Sequence, residues 1–206
     1  MDSDLCTRGP SILEAAMTYE ISMPGHLFAR VDDMIRRLSQ ASELCALLPE
    51  VLETAIDLAA ADMGCIQVLD HGSGALRMVA SRGLSDSFLA FFASVSAHDN
   101  SACDAALITR SRIMVEDVTT NYLFVGTPAL DVMLATGARA VHLTPAVNRS
   151  GRLLGVLSTH WRRPLPGMPY DPVPLDYLVV HLADRLEGFD NKSAVKGTAT
   201  TPRRIT

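Results

Sequence analysis

Residues 137–164, GARAVHLTPAVNRSGRLLGVLSTHWRRP, read as two long strands joined by the tight turn Arg149-Ser150-Gly151. Strand side chains alternate between two faces. On the second strand Leu154, Val156, Ser158 and His160 fall on one face, and Leu153, Gly155, Leu157, Thr159 and Trp161 on the other. On the first, Val141, Leu143, Pro145 and Val147 oppose Ala140, His142, Thr144 and Ala146. Both faces begin apolar, so both should be covered. The second strand nevertheless ends in Ser158-Thr159-His160-Trp161. Polar groups at that end need partners, because burying them unpaired is costly.

Working outward, GCIQVLD (64–70) and ALRMVAS (75–81) form a second hairpin across HGSG, where two glycines supply positive φ. Residues 112–118, RIMVEDV, give one more strand. Leu27, Val31, Met34 and Leu38 recur at helical spacing, and a second helix is predicted over Glu43–Asp62. Pro49 places the regular start of that helix near itself, and Gly64 its end. Helices are also predicted over 86–95 and 102–110. Another spans 127–137, with Thr127 as N-cap, Pro128 in the first turn and Gly137 as stop. A last helix opens at Asp171-Pro172 and carries Leu175, Leu178, Leu182 and Leu186.

Local hairpins imply an antiparallel sheet. The expected fold is α+β in three layers: five or six antiparallel strands, terminal helices on one face, and short helices and loops over a pocket on the other. Residues 1–25 are expected to be a flexible arm, 26–188 one domain with a leading helix, and 189–206 a disordered tail. The Leu27-Val31-Met34-Leu38 seam has no evident partner within a lone domain, which predicts a homodimer through the terminal helices.

The composition, 48% hydrophobic and 20% charged, is that of a globular chain. A net charge of −5 opposes a nucleic-acid surface, and no apolar run is long enough for a membrane span. The acidic start lacks a secretory pattern, which places the protein in the cytoplasm. Cys6, Cys45, Cys65 and Cys103 match no zinc spacing and read as free thiols. Neither a metal nor a cofactor is expected.

The ordered set LPEVLETAIDLAAADMGCIQVLD, LRMVASRGL, SACDAALITRSRIMVEDV, GARAVHLTPAVNRSGRLLGVLSTHWRRP and LDYLVVHLADRLE resembles a GAF domain of the kind attached to bacterial sensor histidine kinases. The resemblance implies a pocket on the sheet face away from the terminal helices. It also implies a role as a small-molecule-sensing or regulatory module, with a histidine kinase or response regulator as partner. In bilin-binding members a histidine at the matching place on the last strand reaches into the pocket. That carries over to His160, with Ser158 beside it and Val156 as floor; the alternative is a His160 that caps the strand end. His142 reads as a partly exposed sheet residue.

By the same layout Asp117, Asn121 and Tyr122 close the pocket edge, although Asp117 equally suits a turn cap. Cys103 opens a helix beside the pocket, where it is either a stabilised thiolate or a packed thiol. Free-methionine sulfoxide reductases of this family keep their attacking cysteine in the segment matching 119–137, where this chain has none. That segment also lacks the cysteine and histidine associated with bilin, and TTNYLFVG lacks the lysine of the cyclic-nucleotide signature. No complete catalytic constellation is present. A dimerising scaffold without ligand is the competing reading.

Overall fold

The computed structural model describes residues 25–96, 102–196 and 203–205. Cys6 and the rest of the N-terminal arm up to residue 24 lie outside them. Two helices lead, α1 (Gly25–Gln40) and α2 (Leu44–Ala59), followed by the hairpin β1 (Met63–Asp70) and β2 (Ala75–Arg82). Next come α3 (Asp86–Phe91), β3 (Ser94–Ser96), α4 (Ala102–Thr109), β4 (Ile113–Val115) and α5 (Pro128–Ala135). The second hairpin, β5 (Ala140–Val147) and β6 (Leu153–Trp161), leads to α6 (Val173–Lys196) and β7 (Arg203–Ile205).

The strand order is β3-β2-β1-β6-β5-β4, and every neighbouring pair is antiparallel. β7 adds a short parallel pairing on β2. β1 and β6 are therefore central, although a long stretch of chain separates them. One face packs Ile66, Val68, Leu154 and Leu157 against α1, α2 and α6. The other face carries Met63, Leu76, Val141, Leu143 and Val156 under α3, α4 and α5.

Several local expectations are corrected. Leu153 and Leu154 exchange faces relative to simple alternation. Val147 pairs with Leu153 and Ala146 with Gly155, so Leu154 is the extra residue of a bulge. The bulge turns Leu154 towards the terminal helices and leaves the Val156–Ser158–His160 face as expected. α2 starts at Leu44 and holds Pro49 inside it. Proline removes one helical hydrogen bond there, but the burial of Leu44 and Leu48 draws the first turn into the helix. The helix ends at Ala60, whose φ of 48° is left-handed. Gly64 sits instead within β1, where a Cβ would lie 2.8 Å from the Ser158 carbonyl oxygen. In the first hairpin only Gly74 takes positive φ. The helix predicted over 86–95 stops at Phe91, because the chain then pairs with β2 as β3. Thr127 stands at the N-cap of α5, but its hydroxyl donates backwards to the Phe124 carbonyl. α6 continues past Gly188 to Lys196.

His142 is fully buried rather than partly exposed. Its Nδ1 lies 3.0 Å from the Tyr170 hydroxyl, and its ring meets Trp161 edge-on at 4.7 Å.

The helical seam is also reassigned. Val31, Met34 and Leu38 are buried against α2 and α6 of the same chain, which removes the reason for expecting a dimer through them. Val31→Glu is therefore expected to lower the stability of a single chain by several kcal/mol, since it buries an unpaired charge. A thermal melt followed alongside sedimentation checks this: the melting temperature falls while the sedimenting mass stays constant.

Candidate functional site

A small cavity lies on the face opposite the terminal helices. Its floor is Cys65 and Gln67 of β1, Val141 and Leu143 of β5, and Ser158 and His160 of β6. Phe88 and Phe92 form one wall, Ala102 and Cys103 of α4 another, and Ala129 and Met133 of α5 a third. Leu123 and Phe124 close the edge. The β1–β6 register explains the floor: Cys65 pairs with Ser158, and Met63 with His160, on adjacent rows of one sheet face.

The polar groups form a short chain. Cys65 Sγ lies 3.0 Å from Ser158 Oγ, and Ser158 Oγ lies 3.1 Å from His160 Nε2. Separately, the Cys103 thiol donates to Gln67 Oε1 at 3.8 Å, and the Gln67 amide donates to the Phe92 carbonyl at 3.2 Å. The edge of Phe88 meets the His160 ring at 5.4 Å. His160 Nδ1 is buried with no partner among the described residues.

Burial sets the charge state of every ionisable group here. It pushes the Cys65 thiol up to about 11, against the hydrogen bond from Ser158. It pushes Cys103 to about 12, with Cys65 and Asp104 adding to the effect. It lowers His160 to about 3. The site is thus neutral: two thiols, an amide, a hydroxyl and an uncharged imidazole. Neutral thiols are poor nucleophiles. Among the described residues no group of three His, Cys, Asp or Glu side chains is placed to hold a metal ion.

Two histidines with depressed folded-state values make stability pH-dependent. Burial, with help from Arg112, lowers His142 from 6.5 to about 4, and burial lowers His160 from 6.5 to about 3. Both are neutral in the folded chain, while the unfolded chain gains their protons near 6.5. Their contribution is complete above that value and is lost as pH falls through about 4 for His142 and about 3 for His160. Urea midpoints measured from pH 8 to 4.5 should decline with this shape, and His160→Phe should flatten the curve.

The candidate residues named from sequence divide into two groups. Ser158, His160 and Cys103 line the cavity, and Val156 is buried on the same face without reaching it. Tyr122 does not: its side chain is 83% exposed, because the turn at 119–125 points it outward. Asn121 Oδ1 accepts the Leu123 amide hydrogen at 3.0 Å, closing its own turn. Asp117 accepts from the Thr119 amide and hydroxyl and from Arg139. Desolvation opposes its charge, but the Thr119 and Arg139 hydrogen bonds hold the carboxyl below its ordinary value. Asp117 and Asn121 are therefore turn residues that hold Leu123 and Phe124 over the cavity.

Cys65 and Gln67 were missed from sequence. The available signal was a glutamine in the middle of the apolar run MGCIQVLD, on the same alternation as Cys65.

A fold of this topology, with a cavity between the central strands and a roof of short helices, defines a class of small antiparallel α+β domains. A family profile for the GAF domain matches residues 41–171, and the chain belongs to that family. No curated protein matches it. Among solved structures, the GAF domain of a two-component sensor histidine kinase from Bacillus halodurans is 16% identical; the match covers 74% of this chain and 99% of that one, with a TM-score of 0.59. The GAF domain of a phosphoenolpyruvate-protein phosphotransferase from Coxiella burnetii is 16% identical over 85% and 99%, with a TM-score of 0.62. The free methionine-R-sulfoxide reductase of Neisseria meningitidis, solved with its substrate, is 15% identical over 84% and 95%, with a TM-score of 0.60. At these identities the structures establish the shared fold. No helix among the described residues is long and apolar enough to cross a membrane.

Proposed function

We propose that the chain is a non-enzymatic sensor module of bacterial signal transduction that binds a small molecule in the cavity between β1, β6 and the helical roof. One observation carries this reading. His160, 3% exposed, lines the cavity from the central strand and keeps one ring nitrogen without a partner among the described residues. An unmet buried polar atom costs free energy that a ligand or water recovers. The sensor-kinase neighbour supports a kinase or its response regulator as the output partner. A catalytic reading along the lines of the sulfoxide reductase has less support. The two cavity thiols are held protonated by burial, and residues 119–137 supply no cysteine.

Native mass spectrometry of the chain purified under mild conditions and exposed to pooled small metabolites tests the proposal. A retained small molecule is expected. His160→Ala should weaken its binding by about 1–3 kcal/mol, the cost of an unmet hydrogen bond. Failure of every pool to yield a retained species or a thermal shift would favour a scaffold without ligand.

A further inference from the structure

The cavity also restricts the chemistry of its occupant, and this inference rests on the sensor reading given above. None of the fourteen residues that line it is Lys, Arg, Asp or Glu. The Asp104 side chain is buried on α4 next to Cys103. A carboxylate or phosphate would therefore lose its hydration, find no cation among the described residues and meet a nearby carboxylate. The cavity volume is about 30 Å³. One water needs roughly 10–15 Å³ on this scale, so a molecule of only a few heavy atoms fits the walls as they stand.

The direction of hydrogen bonding follows from the chain Cys65–Ser158–His160. If the Cys65 thiol donates to Ser158 Oγ, the Ser158 hydroxyl donates to His160 Nε2. The imidazole proton then resides on Nδ1, and that one N–H is left unmet. The reverse order leaves two groups unmet, the thiol hydrogen and the Nδ1 lone pair. The first order satisfies more of the buried polar groups, as folded proteins generally do. His160 Nδ1 is then a buried donor without a partner among the described residues, on a ring that lines the cavity.

We propose that the site takes an uncharged, compact ligand that offers one hydrogen-bond acceptor to His160 Nδ1, in the class of small carbonyl compounds without an ionised group. Apolar walls made of Phe88, Phe92, Leu143 and Met133 surround the remainder of such a molecule. Neither a phosphate ester nor a carboxylic acid belongs to this class.

Three probes of similar size separate the contributions: acetone, acetate and xenon. Each is titrated into the full ¹⁵N-labelled chain at pH 7, and backbone amide and imidazole shifts are followed. Acetone is expected to give saturable shifts at Cys65, Gln67, Ser158 and His160 in the millimolar range. Acetate should give none, and xenon should perturb the same residues. The imidazole ¹⁵N shifts should report the proton on Nδ1. His160→Phe should weaken acetone at least tenfold while xenon still enters. Ser158→Ala provides a second variant, expected to scramble the tautomer and weaken acetone less.

Acetate binding as well as acetone, a proton on Nε2, or acetone binding unchanged in His160→Phe would overturn the ligand class and leave the sensor reading in place. Exclusion of all three probes would overturn the cavity as a binding site and both proposals with it.

Discussion

Gly155→Ala is expected to cost more than about 3 kcal/mol, beyond the roughly 1–3 kcal/mol usual for overfilling a core. A Cβ at this position would lie 2.2 Å from the Gln67 carbonyl oxygen and 3.1 Å from Val68 Cα. Both are backbone atoms of the neighbouring central strand, so no rotamer change relieves the contact. Gly155 pairs with Val68 on one side and Ala146 on the other, which fixes it from both directions. The variant should accumulate as insoluble protein, or show a urea midpoint far below that of the parent. A midpoint within experimental error of the parent would show that β1 and β6 separate more easily than this packing implies.

Arg112→Met should be the next most damaging change, at about 3 kcal/mol. Arg112 pairs with Asp176, and their side chains are only 16% and 4% exposed. Removing one partner of such a pair leaves the other charge uncompensated, at a cost of roughly 3–5 kcal/mol. Burial already raises the Asp176 carboxyl, and Arg112 opposes that shift. Without the arginine the carboxyl rises further and the folded chain holds its proton more tightly than the unfolded chain. Stability then increases as pH falls, so the deficit should shrink towards acid. The double variant Arg112→Met, Asp176→Leu should recover most of the loss. Denaturant titrations of the three chains at pH 8 and pH 5 decide the matter.

The architecture was legible because its signals are periodic. The two hairpins, the helical stripe through Val31, Met34 and Leu38, and the leucines of α6 each bury one face. Period alone identifies that face. Alternation grouped Ser158 and His160 on one face of β6, and the family resemblance made that face the pocket side and set Cys103 beside it. The pattern did not show where the chain departs from regularity. The bulge at Leu154 depends on pairing with a neighbouring strand, and the early start of α2 depends on burial of Leu44 and Leu48. Tyr122 looked like a ligand group because its residue type suits one. Its direction is set by a turn that Asp117 and Asn121 close with their own side chains. Conversely, Cys65 and Gln67 belong to a strand whose sequence neighbours lie on the far side of the sheet from the other pocket residues. Their juxtaposition with His160 comes from the β1–β6 crossover, which no local pattern announces.

The bulge in β6 has a mechanical consequence. An extra residue opposite Ala146 and Val147 keys the strand against β5 at one point, and Gly155 interlocks it with β1 beside that point. β6 therefore has no freedom to slide along its neighbours. Its far end, residues 158–161, is held on both sides as well, Ser158 between Cys65 and Leu143 and His160 between Met63 and Val141. Ser158 and His160 lie on one side of this strand end; Thr159 and Trp161 lie on the other, where Trp161 stacks near Tyr170 and donates to the Ala60 carbonyl at the end of α2. The floor of the cavity and the footing of the helical layer are thus opposite sides of one fixed strand end.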